Sequence, residues 1–127
     1  MGRWQGRSRR LATGARVRFS RKKRLYEMGR PPAETVVGPR KIKIVRVQGG
    51  NSKIKAYIAD TVNVSDQSTG KTQKVTIKEV LSNPSSVEYT RRKIITKGAI
   101  LSTELGKVRV TSRPGQEGIV NGILIRE

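Results

Sequence analysis

Lys53-Ile54-Lys55-Ala56-Tyr57-Ile58-Ala59 alternates without a break, with Ile54, Ala56 and Ile58 on one face and Lys53, Lys55 and Tyr57 on the other. Successive side chains of an extended chain point to opposite faces, so a period of two spells a half-buried strand. Before it, Gly49-Gly50-Asn51 supplies a turn able to take positive φ. Earlier still, Lys41 to Val47 alternates through Ile42 and Ile44 and then shifts phase at Val45 and Val47, which predicts a bulge. Downstream, Thr61 to Val64 continues as strand and Asp66-Gln67-Ser68-Thr69-Gly70 reads as a hairpin loop. Lys74 to Leu81 returns with Val75 and Ile77 facing one way, until Asn83-Pro84 breaks the pairing. The last third repeats this grammar in Ile94-Ile95, Ala99 to Leu105, Lys107 to Thr111, a Ser112-Arg113-Pro114-Gly115 turn and Ile119 to Ile125. Strands recurring every 8 to 12 residues or so, with no amphipathic helix between them, argue against a parallel α/β sheet. The expected fold is all-β, a small barrel-like body of antiparallel or mixed sheet.

Composition changes near residues 29 to 35. Pro31 to Glu127 holds 27 Val, Ile and Leu residues, 23 of them β-branched, against three such aliphatics in the first thirty. Those thirty residues carry eleven Lys or Arg and a single acid, Glu27, a net +10 of the chain's formal +19. Such a segment has too little apolar surface to offset the entropy of ordering it, and its like charges repel. We therefore expect a basic, largely irregular N-terminal extension over residues 1–34, needing an anionic partner to take a fixed shape, and a β-barrel-like body over 35–127. One short helix is expected at about 20–28, with Ser20 as N-cap, Leu25 and Met28 one turn apart and Gly29 at the left-handed C-terminal position. Four cations, Arg21 to Arg24, would crowd its first turn, where the helix dipole disfavours them.

The 127 residues include no Cys and no His, which removes disulfides, thiolate chemistry, the usual zinc sites and imidazole catalysis. We expect no metal, no cofactor and no small-molecule substrate. Thr69-Gly70-Lys71-Thr72 resembles the end of a phosphate-binding P-loop, but that motif needs Gly where Ser65 stands, and a strand-to-helix setting. The carboxylate pairs Asp60 with Asp66 and Glu79 with Glu88 lie in strand or turn sequence beside lysines, the ordinary setting of solvated partners. The chain is expected not to be an enzyme. It opens without an apolar leader and has no apolar run near the ~20 residues that span a bilayer, so a place in the cell interior is expected. The arm also lacks the coherent apolar face that a membrane-surface helix needs.

A strongly basic balance points to nucleic acid. The candidate RNA-binding residues of the arm are Arg3, Trp4, Arg7, Arg9, Arg10, Arg16, Arg18, Arg21, Lys22, Lys23, Arg24 and Arg30. Three of the chain's five aromatics, Trp4, Phe19 and Tyr26, lie among these cations. An aromatic there can stack on an unpaired base or fill an RNA groove; Phe19 and Tyr26 could instead fold back on the body. In the body the candidates are Arg40 and Lys41, the Arg91-Arg92-Lys93 run with Lys97, and Arg113 in its turn. Composition alone would also permit a general nucleic-acid-binding or DNA-compacting protein.

Longer stretches narrow the choice. The chain resembles the ribosomal protein S-eight-e family of the small ribosomal subunit in Met1 to Ser8, in Arg21 to Arg24 through Tyr26 and Gly29-Arg30, and in Pro32-Ala33-Glu34-Thr35. The resemblance continues in Val45-Arg46 with Gly49-Gly50-Asn51, Thr69-Gly70-Lys71, Asn83-Pro84, Arg91-Arg92 followed by Ile94 to Ala99, and Val110 to Gln116 with Val120-Asn121. It implies a small β-barrel-like body with a basic extension laid into ribosomal RNA, neighbouring small-subunit proteins as further partners, and a place on the cytoplasmic ribosome. Its short length resembles the archaeal form, since eukaryotic members carry an additional insertion.

Overall fold

The computed structural model describes residues 3–125. They divide into two compact units, one ending at Pro32 and the other beginning at Ala33.

The N-terminal unit is held by local hydrogen bonds. Strand β1 (Arg3–Trp4) pairs antiparallel with β2 (Met28–Gly29). Between them, Arg10 lies opposite Arg16 in a tight hairpin, where Leu11 N–H donates to Ala15 O at 2.9 Å and Gly14 turns the chain at φ 84°. Among its described residues the unit buries no apolar side chain; Gly29 alone is buried, and Leu25 is 89% exposed. The helix expected over 20–28 contracts to one 3-10 turn, Leu25–Glu27, entered from an extended Arg24. The cause is Glu27. Its carboxylate takes the guanidinium of Arg21 at 2.6 and 3.0 Å and the Arg24 N–H at 3.1 Å. On an α-helix the neighbours of a residue are three or four away, so a contact across six residues and a helix through them exclude each other. With no helix to end, Gly29 joins the ladder in place of the expected left-handed position.

The second unit is a closed five-stranded barrel with a small sheet beside it. Strands β3 (Val36–Val37), β4 (Lys41–Arg46) and β5 (Ser52–Ala59) form that sheet in the order β3-β5-β4. The barrel follows with β6 (Thr61–Ser65), β7 (Thr72–Ser82), β8 (Ile100–Thr103), β9 (Gly106–Val110) and β10 (Asn121–Leu124). Successive barrel strands from β6 to β9 pair antiparallel, β10 pairs antiparallel with β9, and a parallel ladder from Asn121–Asn63 to Ile123–Ser65 closes the ring. The expected mixed, all-β architecture is therefore present. Two short helices join it: α1 (Val87–Arg91), capped by the Ser86 hydroxyl, and α2 (Pro114–Glu117), ended by Gly118 at φ 75°. The irregularity of β4 lies at Lys41/Ile42, where β5 advances two residues to one, and not at Val45, which stays in register with Lys53. Ile94-Ile95 is not a strand; Ile95 makes a single bridge to Thr35, because Asn83 and Thr35 claim the backbone on either side.

The barrel interior is filled by Val62, Val64, Val75, Ile77, Val80, Leu101, Val108, Val110 and Val120, and Ala59, Ile95 and Ala99 belong to the same buried cluster. Only glycine fits at position 122, because a Cβ there would stand 2.4 Å from Val108 Cγ1 and 3.0 Å from the Arg109 carbonyl. Leu101 is fully buried. Leu101→Ala should lower unfolding free energy by about 2–5 kcal/mol, the range for deleting a core Leu, as read from the urea midpoint.

Candidate nucleic-acid interface

All eleven cations of the arm stand exposed. Several are placed where like charges face each other: Arg10 opposes Arg16 in the arm hairpin, and in the body Lys43 opposes Lys55 across β4 and β5. Like charges directly opposite on a ladder are destabilising, so both pairs raise the local demand for an anion.

Around Trp4 the arm gathers residues that are distant in sequence. The indole Nε1–H donates to the Arg7 carbonyl at 2.7 Å, Phe19 meets the ring edge-on with centroids 6.0 Å apart, and Lys23 Nζ lies 5.5 Å from the ring centroid. Gly6 packs so closely that a Cβ would come within 2.5 Å of the six-membered ring. The cleft beside these groups measures about 270 Å³. Arg21 reaches both Glu27 and, at 5.9 Å, the ring of Tyr26. Phe19 thus stays within the arm's own cluster, packed against Trp4. Phe19, Ser20 and Gly6 belong to this cluster and were not among the sequence candidates. Only the density of aromatics and glycines between cations hinted at them.

In the body, Asn83 positions the basic loop. Its Nδ2–H donates to Ile94 O at 2.9 Å, and its Oδ1 accepts from Ser85 N and from Thr96 Oγ1, both at 3.0 Å. Its own N–H donates to Thr90 Oγ1 at 3.0 Å. That one buried side chain fixes both ends of the segment bearing Arg91, Arg92, Lys93 and Lys97, all exposed. Arg92 pairs with Glu34, and Lys93 with Glu79 at 3.3 Å. Lys93 follows α1 in a left-handed conformation, φ 52°, uncommon for a side chain-bearing residue. Arg91 and Lys97 have no acidic partner among the described residues. Arg40 and Lys41 are exposed at the start of β4; Lys41 pairs with Ile58, which on its other side pairs with Val36, two residues beyond Glu34. Both basic groups of the body are therefore attached to the same three-stranded sheet. Arg113 is exposed at the N-terminus of α2, which packs on β5, with its carbonyl fixed by Gln116 and Glu117 N–H.

The motifs that might have signalled catalysis have structural duties. Thr69 to Thr72 closes the β6–β7 hairpin, with Gly70 at φ 66°, and runs into a strand instead of a helix. Asp66 accepts from Ser68 N–H at 3.1 Å and from the Ser68 and Thr69 hydroxyls, which shapes that loop. No cluster able to hold a metal ion occurs among the described residues, and no helix among them is long and apolar enough to cross a membrane.

A small filled barrel joined to a coreless, cation-rich arm defines a basic, all-β structural protein. The family profile of ribosomal protein S8e matches residues 4–125, and the chain belongs to that family. It is 55% identical over 128 residues to "Small ribosomal subunit protein eS8" of Methanococcus aeolicus, with all of both chains covered. Proteins of the same name from Methanocorpusculum labreanum (51% over 122 residues; 96% of this chain and 98% of the relative) and Nanoarchaeum equitans (54% over 123; 97% of each) are similarly close. Membership makes the chain a ribosomal protein and not an enzyme, and its length matches these archaeal relatives throughout.

Glu27 links the arm's geometry to pH. The hydrogen bonds from Arg21 first, and from Arg24 N–H second, hold its carboxyl below the usual carboxylate range, and Glu27 in turn raises Arg21. A depressed carboxyl stabilises the folded turn fully above its ordinary pKa, and the contribution is lost as pH falls through the depressed value. Amide-exchange protection of Arg24 and Gln5, whose N–H groups donate to Glu27, should therefore be highest at neutral pH and fall in acid. In Glu27→Gln the protection should be low at every pH; unchanged protection would show that Glu27 does not organise the turn.

Proposed function

We propose that the chain is a non-catalytic constituent of the small ribosomal subunit that binds and stabilises folded ribosomal RNA in the cytoplasm, alongside neighbouring small-subunit proteins. One observation carries this reading beyond family membership: the first thirty residues set eleven exposed cations against a single acid, Glu27, on a unit that buries no apolar side chain among its described residues. Such a unit gains most of its ordering energy from an anion outside the chain.

Arg3, Trp4, Arg7, Arg9, Arg10, Arg16, Arg18, Arg21, Lys22, Lys23, Arg24 and Arg30 supply the extension's contacts. The body adds a second surface through Arg40, Lys41, Arg91, Arg92, Lys93 and Lys97, with Arg113 as a separate contact. Guanidinium forks bridge phosphates, and phosphate contacts set register without reading sequence. Glu34 and Glu79 partly offset the charge of Arg92 and Lys93 in solvent-exposed pairs, so Arg91 and Lys97 are the more available to phosphate.

If roughly 6–10 cations meet phosphate, affinity for small-subunit RNA should fall about 10³- to 10⁵-fold between 50 and 200 mM salt. A flat salt titration would exclude the mechanism. Competition with random duplex DNA separates this reading from a DNA-compacting role, since the ribosomal reading requires preference for folded RNA. Arg91→Ala with Lys97→Ala should weaken RNA binding and lower the salt slope by about two, while leaving the unfolding midpoint unchanged.

A further inference from the structure

The cleft of the arm has a chemistry that phosphate contact alone does not explain. Its lining joins two aromatic rings, Trp4 and Phe19, to four cations, Arg7, Arg21, Lys22 and Lys23, at a volume of about 270 Å³. The one carboxylate in the lining, Glu27, is engaged by Arg21 through both oxygens. Arg7, Lys22 and Lys23 have no carboxylate partner among the described residues. The indole is fixed on three sides although it packs into no core: by its bond to the Arg7 carbonyl, by the edge of Phe19 and by the backbone at Gly6. A ligand that matches a fixed π surface ringed by cations carries its own π face and a negative charge, and the volume, near the lower end for small-ligand clefts, admits one such unit.

We propose that this cleft receives a single unpaired nucleotide of RNA, its base stacked on Trp4 and its phosphate held by Arg7, Lys22 and Lys23. The proposal rests on the RNA-binding reading above and specifies which feature of the RNA the arm seizes. Lys23 marks the place of the base. Its ammonium, 5.5 Å from the ring centroid, occupies the position of a cation over the indole; the incoming base takes that face and the ammonium moves to the phosphate. Bases inside a duplex are already stacked on both faces, and at a duplex end the exposed face belongs to a whole base pair, too wide for a cleft of about 270 Å³, so a base that enters must be unpaired.

Trp4 is the chain's only tryptophan, so its fluorescence reports on this cleft alone. The full chain is titrated with a short unstructured single-stranded RNA and with a blunt RNA duplex of equal phosphate count, following Trp4 emission and the anisotropy of a label on the RNA. Single-stranded RNA should quench Trp4, while the duplex binds without quenching. Trp4→Ala should weaken single-strand binding about 5- to 140-fold, the effect of one stacked base, and duplex binding by less than about twofold. Phe19→Leu keeps the reporter and should reduce the quenching. Equal quenching by both RNAs, binding of both without quenching, or equal losses in Trp4→Ala would overturn the proposal and leave general RNA binding intact. Failure of both RNAs to bind would instead overturn the RNA-binding reading itself, and this proposal with it.

Discussion

Closure of the barrel by the parallel ladder between β6 and β10 is the constraint on which the body depends. Without it, Val62, Val64 and Val110 would face an open edge, and the row of unpaired backbone groups on β6 would invite another chain. Gly122 lets β10 lie close against β9 beside this seam, since a Cβ there would stand 2.4 Å from Val108 Cγ1. A side-chain bond between Asn63 and Asn121, 2.9 Å long, reinforces the same seam from outside. Burial of the barrel core then fixes the loops that leave it, and the basic segment after β7 inherits its shape from Asn83, anchored at the barrel's rim.

The two units solve the problem of concentrated positive charge differently. In the body, cations project from a frame whose stability comes from aliphatic burial, so Arg91 and Lys97 can stay unpaired at little cost to folding. In the arm no such frame exists. Glu27, Trp4 and Gly29 supply fixed contacts, joined by local ones such as the Arg10 guanidinium donating to Gly14 O at 2.8 Å, and no aliphatic core stands behind them among the described residues. The arm's shape therefore rests on local hydrogen bonds and ring contacts, and the body's on a buried core.

A good part of this was legible in the residues. The strand in Lys53 to Ala59 and the Asp66 to Gly70 hairpin are local signals that survive into the structure, because they fix φ and ψ before any long-range contact forms; the turn expected over Ser112 to Gly115 instead runs into the short helix Pro114–Glu117, and Ile54 is exposed where alternation would have buried it. The 20–28 segment was misread because helix propensity was weighed without the pull of a single carboxylate on a guanidinium six residues away. Ser20 and Gly6 were invisible as site residues, and Phe19 was legible only as an aromatic among cations, for a related reason: their meaning comes from the company of Trp4, and proximity in space has no period in the sequence.

By itself the sequence determined that the body would be all-β, that the first thirty residues would carry over half the net charge, and that Cys and His chemistry would be absent; these follow from composition and from a period of two. The tertiary structure alone decided the order of the strands, the parallel seam, the anchoring role of Asn83 and the cleft around Trp4. Each of these joins residues tens of positions apart or depends on how side chains pack once joined, and packing is a property of the folded chain.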